Sequence, residues 1–137
     1  MAIACAGLGC HMMPHGMTIR VDAATAFDPD ACVCCGPLMD LDAIEPPDPV
    51  IIIEVQSPST RSVDSGLKLA RYFGLKSLKH YLIVDSVRRV VIHHRGAEGG
   101  LIVTRIATQA TLDLTPPGLS LPVLELLADF SPASDDA

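Results

Sequence analysis

Residues 49–60 read PVIIIEVQSPST, and the pattern of this segment predicts the central strand of the fold. The β-branched run from Val50 to Ile53 is typical of a strand that is buried on both of its faces. Glu54 continues the run, and an unpaired buried carboxylate costs several kcal/mol. The sequence therefore predicts a central strand whose carboxylate has a partner, a proton or a metal ion.

The composition indicates one folded domain. The chain has 137 residues, of which 49% are apolar, and its mean hydropathy is +0.37. A chain of this size can bury a core without disulfides. We expect a single domain over residues 1–130 and a disordered tail over 131–137. No stretch reaches the roughly 18 apolar residues that cross a bilayer, so no membrane partner is expected.

The five cysteines are an odd number and lack the spacing of a secreted disulfide framework. They favour a reduced, cytoplasmic protein in which cysteine fills a buried strand as a small apolar residue. A zinc-stabilised module remains an alternative, although CVCC at 32–35 lacks the two-residue gaps of a zinc knuckle. His93 and His94 point to opposite faces of a strand and are predicted to be surface residues.

Basic residues concentrate in one segment of an acidic chain. The net charge is −6, yet residues 61–95 hold eight of the ten basic residues and two of the sixteen acidic ones. That segment therefore carries +6 and the remainder −12. The concentration indicates either a basic binding face or an ordinary solvated helix and hairpin.

The hydrophobic pattern predicts an α/β fold. A helix over 62–73 separates two apolar strands, 50–56 and 80–85, which predicts neighbouring parallel strands joined by a right-handed crossover. Further strands are predicted at 17–22, 30–35, 87–95 and 101–107. A short amphipathic helix is predicted at 121–130, and the Pro-rich stretch 38–49 is predicted to be a loop. The fold class is a mixed β-sheet core with one central crossover helix and a short C-terminal helix.

Two carboxylates fall at strand ends in this scheme. Asp30 opens one strand and Glu54 lies near the end of another, and the Val55 carbonyl adds a third hard oxygen. Gln56 projects to the same face as Glu54, because side chains alternate along a strand. The alternatives are a turn role for Asp30 and a structural ion pair for Glu54.

An ordered set of motifs resembles a known family. Pro29-Asp30 followed by Glu54-Val55-Gln56 is similar to the PD-(D/E)XK nuclease motif. PDACVCCGP, IIIEVQSPST and HYLIVDS, with Asp64, Lys68 and Tyr72, resemble the Uma-two family of restriction-endonuclease-like proteins over about residues 8–128. The resemblance implies a restriction-endonuclease-like fold, Mg²⁺- or Mn²⁺-dependent cleavage of DNA, and a homodimer.

Two features depart from the family pattern. Gln56 stands where the superfamily usually has lysine, and Lys68 on the following helix is positioned to replace it. The helix that the family places before the first strand is missing, so the domain is expected to be N-terminally abbreviated.

The resemblance implies roles for six residues and one backbone carbonyl. Asp30, Glu54 and the Val55 carbonyl would hold the metal, while Gln56 and Lys68 would act on the water and on the charge of the phosphate. Arg61 and Arg71 would contact DNA. The alternative is a degenerate member that binds nucleic acid or a protein without cleavage. For Lys68 itself, the alternative role is a helical i, i+4 pair with Asp64. Tyr72 is expected to serve packing.

Overall fold

The structure is a computed structural model that describes residues 9–14, 17–36, 44–46, 48–56 and 65–130. Its elements, in chain order, are β1 (Cys10–Pro14), β2 (Ile19–Asp22), β3 (Thr25–Phe27), β4 (Ala31–Cys35), β5 (Pro49–Gln56), α1 (Ser65–Tyr72), β6 (His80–Asp85), β7 (Val90–Gly96), β8 (Ile102–Ala107), β9 (Thr111–Leu114), β10 (Leu119–Pro122) and α2 (Val123–Asp129). A short 3₁₀ turn, Glu98–Gly100, lies between β7 and β8.

A six-stranded mixed sheet with the order β1-β4-β5-β6-β7-β8 forms the centre of the molecule. Only β5 and β6 run parallel, and the other four neighbouring pairs in this sheet are antiparallel. The helix α1 connects β5 to β6, as a parallel pair requires a crossover connection. The predicted α/β fold, with a mixed sheet and a central crossover helix, is therefore confirmed.

The strand β5 is buried on both faces, as its β-branched run predicts. Ile51, Ile52 and Ile53 have no exposed surface. Ile51 and Ile53 pack on the face covered by β9, β10 and α2, which we call the α2 face. Ile52 packs on the opposite face with Tyr72 and Tyr81, and we call this the α1 face. Because side chains alternate, Glu54 follows Ile52 onto the α1 face.

Several element boundaries differ from the sequence prediction. The strand predicted at 87–95 begins at Val90, because Asp85 Oδ1 accepts the backbone N–H groups of Val87 and Arg88 at 3.2 and 2.9 Å and so fixes a turn. The C-terminal helix begins at Val123, because residues 119–122 pair with β9 instead. The predicted strand 17–22 is shorter and pairs with β3 in a separate ribbon. Residues 62–64 of the predicted crossover helix lie outside the described residues.

The prediction that His93 and His94 are surface residues was wrong. Only 2% of His93 and 9% of His94 is exposed. They do point to opposite faces, but each face is covered at β7. His93 Nε2 lies 2.9 Å from Nδ1 of His80, and His94 Nδ1 lies 2.8 Å from Thr104 Oγ1.

Cysteine serves as a buried apolar residue at two positions and forms a disulfide at two others. Cys32 and Cys34 on β4 are buried and free, in agreement with the prediction. Cys10 and Cys35 stand directly opposite each other in the antiparallel pair of β1 and β4 and are joined by a disulfide. The expectation that the cysteines are reduced was therefore wrong for Cys10 and Cys35, because this pairing depends on the strand register and cannot be read from residue type.

Neither of the two helices in the described part of the chain is long and apolar enough to cross a membrane.

Candidate active site

Glu54 is the most constrained polar group at the end of β5. Its side chain is 16% exposed, and each of its oxygens has a partner from α1. Lys68 Nζ lies 2.7 Å from Oε1, and the Tyr72 hydroxyl donates to Oε2 at 2.8 Å. The pairing arises because Lys68 and Tyr72 are one helical turn apart on α1 and therefore share a face. The carboxylate that interrupts the apolar run is thus paired with an ammonium group and a phenol.

The tyrosine that contacts Glu54 belongs to a buried aromatic cluster. Tyr72 has no exposed surface, and its ring centroid lies 5.0 Å from that of Phe27 and 5.1 Å from that of Tyr81. Burial, reinforced by the charge of Glu54, raises the pKa of both Tyr72 and Tyr81 well above the usual range. The phenols therefore remain neutral and Tyr72 remains a hydrogen-bond donor to the carboxylate at physiological pH.

Asp30 lies just before the neighbouring strand β4, level with Glu54. It directly precedes β4, and Ala31 pairs with Ile53 of β5, so the next step of the antiparallel register places Asp30 opposite Glu54. Asp30 is solvent-exposed, and its Oδ2 accepts the backbone N–H of Val55 at 2.7 Å. Both carboxylates therefore lie at the carboxyl end of β5.

Gln56 and Lys68 belong to the same end of the sheet. Gln56 is half-buried and lies two residues beyond Glu54 on the α1 face. The side chain of Lys68 is 31% exposed, and its Nζ lies 5.2 Å from the centroid of the Phe27 ring. The structure thus places Asp30, Glu54, Gln56 and Lys68 around the carboxyl end of β5, and their roles at this site stay a prediction.

Of the two arginines predicted to contact nucleic acid, the structure describes only Arg71. Arg61, like Asp64, lies outside the described residues. The Arg71 guanidinium reaches back to the β2–β3 ribbon, where its Nη1 lies 3.4 Å from Asp22 Oδ2 and 3.0 Å from Thr25 Oγ1. Asp22 therefore partly neutralises the charge of Arg71, although 40% of the side chain remains exposed.

The sequence predicted a packing role for Tyr72 and did not indicate that Phe27 or Tyr81 lies at the site. The spacing of Lys68 and Tyr72 was a usable signal, because it places both side chains above the same strand. Nothing local marks Phe27, which reaches the cluster from the separate ribbon. Tyr81 is placed by its register with Ile52 in the parallel pair.

The donor set suits a hard cation. Carboxylates and a backbone carbonyl are the ligands that Mg²⁺ prefers in proteins. Among the described residues, no three His, Cys, Asp or Glu side chains gather into a metal-binding group. Cys10 and Cys35 are bonded to each other, which removes both from the ligand set of the zinc alternative. A site here would rest on Asp30, Glu54 and the Val55 carbonyl.

The fold is shared with a solved structure. A crystal structure from Anabaena variabilis, described as "a putative nuclease belonging to DUF820", superposes with a TM-score of 0.66 over 92% of this chain and 72% of that one. Its sequence is 16% identical, so this similarity establishes the fold alone.

The family follows from the sequence match. Residues 4–125 match the Uma2 family model, described as "Putative restriction endonuclease", and the chain belongs to that family. An uncharacterized protein of Synechocystis sp., slr1290, is 30% identical over 96 residues, which are 69% of this chain and 50% of that protein. The chain thus spans about half the length of this curated relative.

Proposed function

We propose that this protein is a Mg²⁺- or Mn²⁺-dependent endonuclease that hydrolyses phosphodiester bonds in DNA. The observation that carries the proposal is the contact of Lys68 Nζ with Glu54 at 2.7 Å, next to Asp30 on the adjacent strand. Family membership and the nuclease fold support the reaction class. Asp30, Glu54 and the Val55 carbonyl are the proposed metal ligands.

When bound, the cation would supply charge neutralisation at the phosphate and would lower the pKa of a bound water. The carboxylate of Glu54 is compatible with such a role, because each of its oxygens has a second lone pair beyond the one used by Lys68 or Tyr72. The Tyr72 hydroxyl fixes the orientation of the carboxylate. Asp30 is oriented in the same way by the Val55 N–H.

Lys68 is the proposed electrophilic group. Its ammonium already lies at the carboxylate and is partly exposed, so it can contact a phosphate and stabilise the negative charge that develops there. Gln56 is the proposed group that orients the attacking water, because an amide can both donate and accept a hydrogen bond. The water oxygen bonds to phosphorus, the ester P–O bond breaks, and the proton that the water loses passes through solvent to the leaving oxygen.

DNA is the proposed substrate because basic groups lie near this end of the sheet. Gln56 pairs in register with Asp85, so the turn after β6, which carries Arg88 and Arg89, is at the same end as the carboxylates. The Arg88 side chain is 61% exposed. Contacts of this kind give affinity that falls with salt and is largely independent of sequence.

A second candidate function is a binding protein that retains the fold without cleaving. It is favoured by the closed arrangement of Glu54, whose two oxygens are satisfied by Lys68 and Tyr72 within the protein itself. Gln56 at the usual lysine position also favours it. The two functions differ in one property, because only the first predicts metal-dependent strand scission.

The test is nicking and linearisation of supercoiled plasmid in Mg²⁺ or Mn²⁺. We expect wild-type cleavage that falls by about 100-fold or more in Lys68→Met and Glu54→Gln, which is typical for loss of one electrostatic stabiliser. Lys76→Met is the matched control, because Lys76 is an exposed lysine that contacts neither carboxylate. Salt-dependent DNA binding by fluorescence anisotropy without any cleavage would establish the second function instead.

A further inference from the structure

The two free cysteines of β4 lie side by side on one face of the sheet. Cys32 and Cys34 are two residues apart on the strand, so alternation places both on the α1 face, where both pack in the core. Cys32 has no exposed surface and Cys34 is 4% exposed. Their thiols share a hydrogen bond, which brings the two sulfur atoms into contact. Two thiols in contact become a pair of soft metal ligands once they lose their protons.

The neighbouring strand β1 adds a third sulfur to the same face. Met13 stands directly opposite Cys32 in the antiparallel register and packs in the same buried cluster. Directly opposed residues have Cβ atoms about 4.5–5.5 Å apart, a distance that the flexible methionine side chain can span. The thioether is a soft ligand that needs no deprotonation. One face of the β1–β4 ladder therefore carries two thiols and a thioether.

The number of ligands selects among the soft metals. A structural zinc ion requires four nitrogen or sulfur ligands from the protein. Among the described residues, no three His, Cys, Asp or Glu side chains gather into a metal-binding group, and Cys10 and Cys35 are bonded to each other. Cu⁺ prefers thiolate and thioether ligands and is stable with about two or three of them. The sulfur set of β1 and β4 therefore suits Cu⁺ better than Zn²⁺.

We propose that Cys32, Cys34 and Met13 form a binding site for a single Cu⁺ ion. Each cysteine S–H bond breaks, the two protons pass to solvent, and two S–Cu bonds form without a change in the oxidation state of copper. The complex of two thiolates and Cu⁺ has one net negative charge. His11, directly opposite Cys34, offsets this charge when it is protonated, because its Nε2 donates to the Gly36 carbonyl at 3.0 Å and its Nδ1 can take up the proton.

The site lies close to the surface at one edge of the sheet. The strand β1 is the first strand of the six-stranded sheet, and Cys34 precedes Cys35, the exposed last residue of β4. The proposal does not depend on the nuclease activity, since it uses none of the carboxylates around Glu54. The two metals are also distinct, because Mg²⁺ prefers oxygen ligands and Cu⁺ prefers sulfur.

The test is metal titration of the full chain without reductant, so that the Cys10–Cys35 disulfide is retained. Ag⁺ is the first probe, because it is a soft monovalent ion that does not change its oxidation state in air. Cu⁺ is then titrated without oxygen, in competition with a coloured Cu⁺ chelator, and native mass spectrometry gives the stoichiometry. We expect one ion per chain with either metal, and an excess of Zn²⁺ should not displace Cu⁺.

Two pairs of variants identify the ligands. Cys32→Ala/Cys34→Ala should abolish binding, whereas Cys10→Ala/Cys35→Ala, which removes the same number of cysteines, should bind as wild type does. Met13→Leu should raise the Kd by about 10-fold, which is at the lower end of what loss of a partner of a metal site costs. Met12→Leu is its matched control, because Met12 packs on the α2 face. The methionine pair keeps the test decisive if the first double variant fails to fold.

Three results would overturn the proposal. The first is a folded wild type that takes up neither Ag⁺ nor Cu⁺, which would leave Cys32 and Cys34 as apolar filling only. The second is binding that survives in folded Cys32→Ala/Cys34→Ala or is equal in Met13→Leu and Met12→Leu. The third is displacement of Cu⁺ by Zn²⁺. None of these results bears on the proposed nuclease function, which is tested with Mg²⁺ and Mn²⁺.

Discussion

Acid should destabilise the fold through one buried histidine, His93. His80 Nε2 lies 2.9 Å from the Pro116 carbonyl, which can only accept, so this nitrogen carries the proton. His80 Nδ1 must then accept from His93 Nε2, 2.9 Å away, and His93 Nδ1 is left without a proton. That atom is buried and has no hydrogen-bond partner within the described structure. A proton added there creates a buried, unsolvated charge.

The size of the effect follows from the pKa of His93. Burial first, and then the nearby His80, Arg105 and Arg95, lower it to about 4 in the folded protein. In the unfolded chain the pKa of His93 is about 6.5. Between about pH 6.5 and pH 4 the unfolded state therefore binds a proton at His93 that the native state does not bind. The stability that neutral His93 contributes is fully present above about pH 6.5 and is lost as the pH falls towards 4. At pH 4.5 the loss is about 2.5 kcal/mol.

The assay is urea unfolding of wild type and His93→Gln at pH 7.5 and 4.5. Glutamine can still donate to His80 Nδ1 but does not titrate. Carboxylates and the other histidines respond to pH in both proteins, so the difference between the two pH responses isolates His93. We expect wild type to lose about 2.5 kcal/mol more than the variant. Equal losses in the two proteins would refute the tautomer assignment and the buried lone pair at Nδ1.

Three further substitutions test the packing and the support of Glu54. Ile52→Ala should lower the free energy of unfolding by about 2–5 kcal/mol, because Ile52 is fully buried, and urea titration measures this. Tyr72→Phe should cost about 1–3 kcal/mol, because it removes the hydrogen bond that the Tyr72 hydroxyl donates to a part-buried carboxylate. The same titration should show a smaller loss in Glu54→Gln/Tyr72→Phe than the sum of the single losses. Arg20→Ala should change stability by less than about 1 kcal/mol, because its ion pair with Glu45 is about half exposed on both sides, and a larger loss of thermal stability would contradict this.

The central βαβ unit could be predicted from sequence because its signals are local. The run from Val50 to Ile53 and the apolar strand His80–Asp85 fix two buried strands, and the helical period between them fixes α1. The site followed from the same unit, since the end of β5 and one face of α1 must meet. Lys68 was accordingly placed beside Glu54 correctly.

The remaining features depend on contacts that are distant in sequence. His93 is buried on the α2 face, where α2 packs against β7 and the turn at Pro116 contacts the neighbouring His80, and nothing near His93 in the sequence indicates this. Cys10 meets Cys35 through the register of β1 with β4. Phe27 reaches Tyr72 from a ribbon that lies outside the main sheet. Strand alternation gives a side chain its face but does not say what covers that face.

We propose that Asp30 and Glu54 belong to one metal site. Calorimetric titration of Mg²⁺ or Mn²⁺ into the purified full chain tests it most directly, with wild type beside Asp30→Asn and Glu54→Gln. Asp48→Asn serves as the matched control, because Asp48 is an exposed carboxylate that precedes β5 at its other end. We predict saturable binding in wild type and in Asp48→Asn that is lost in both site variants. No saturable binding in folded wild type, or binding that survives in both site variants, would contradict the account.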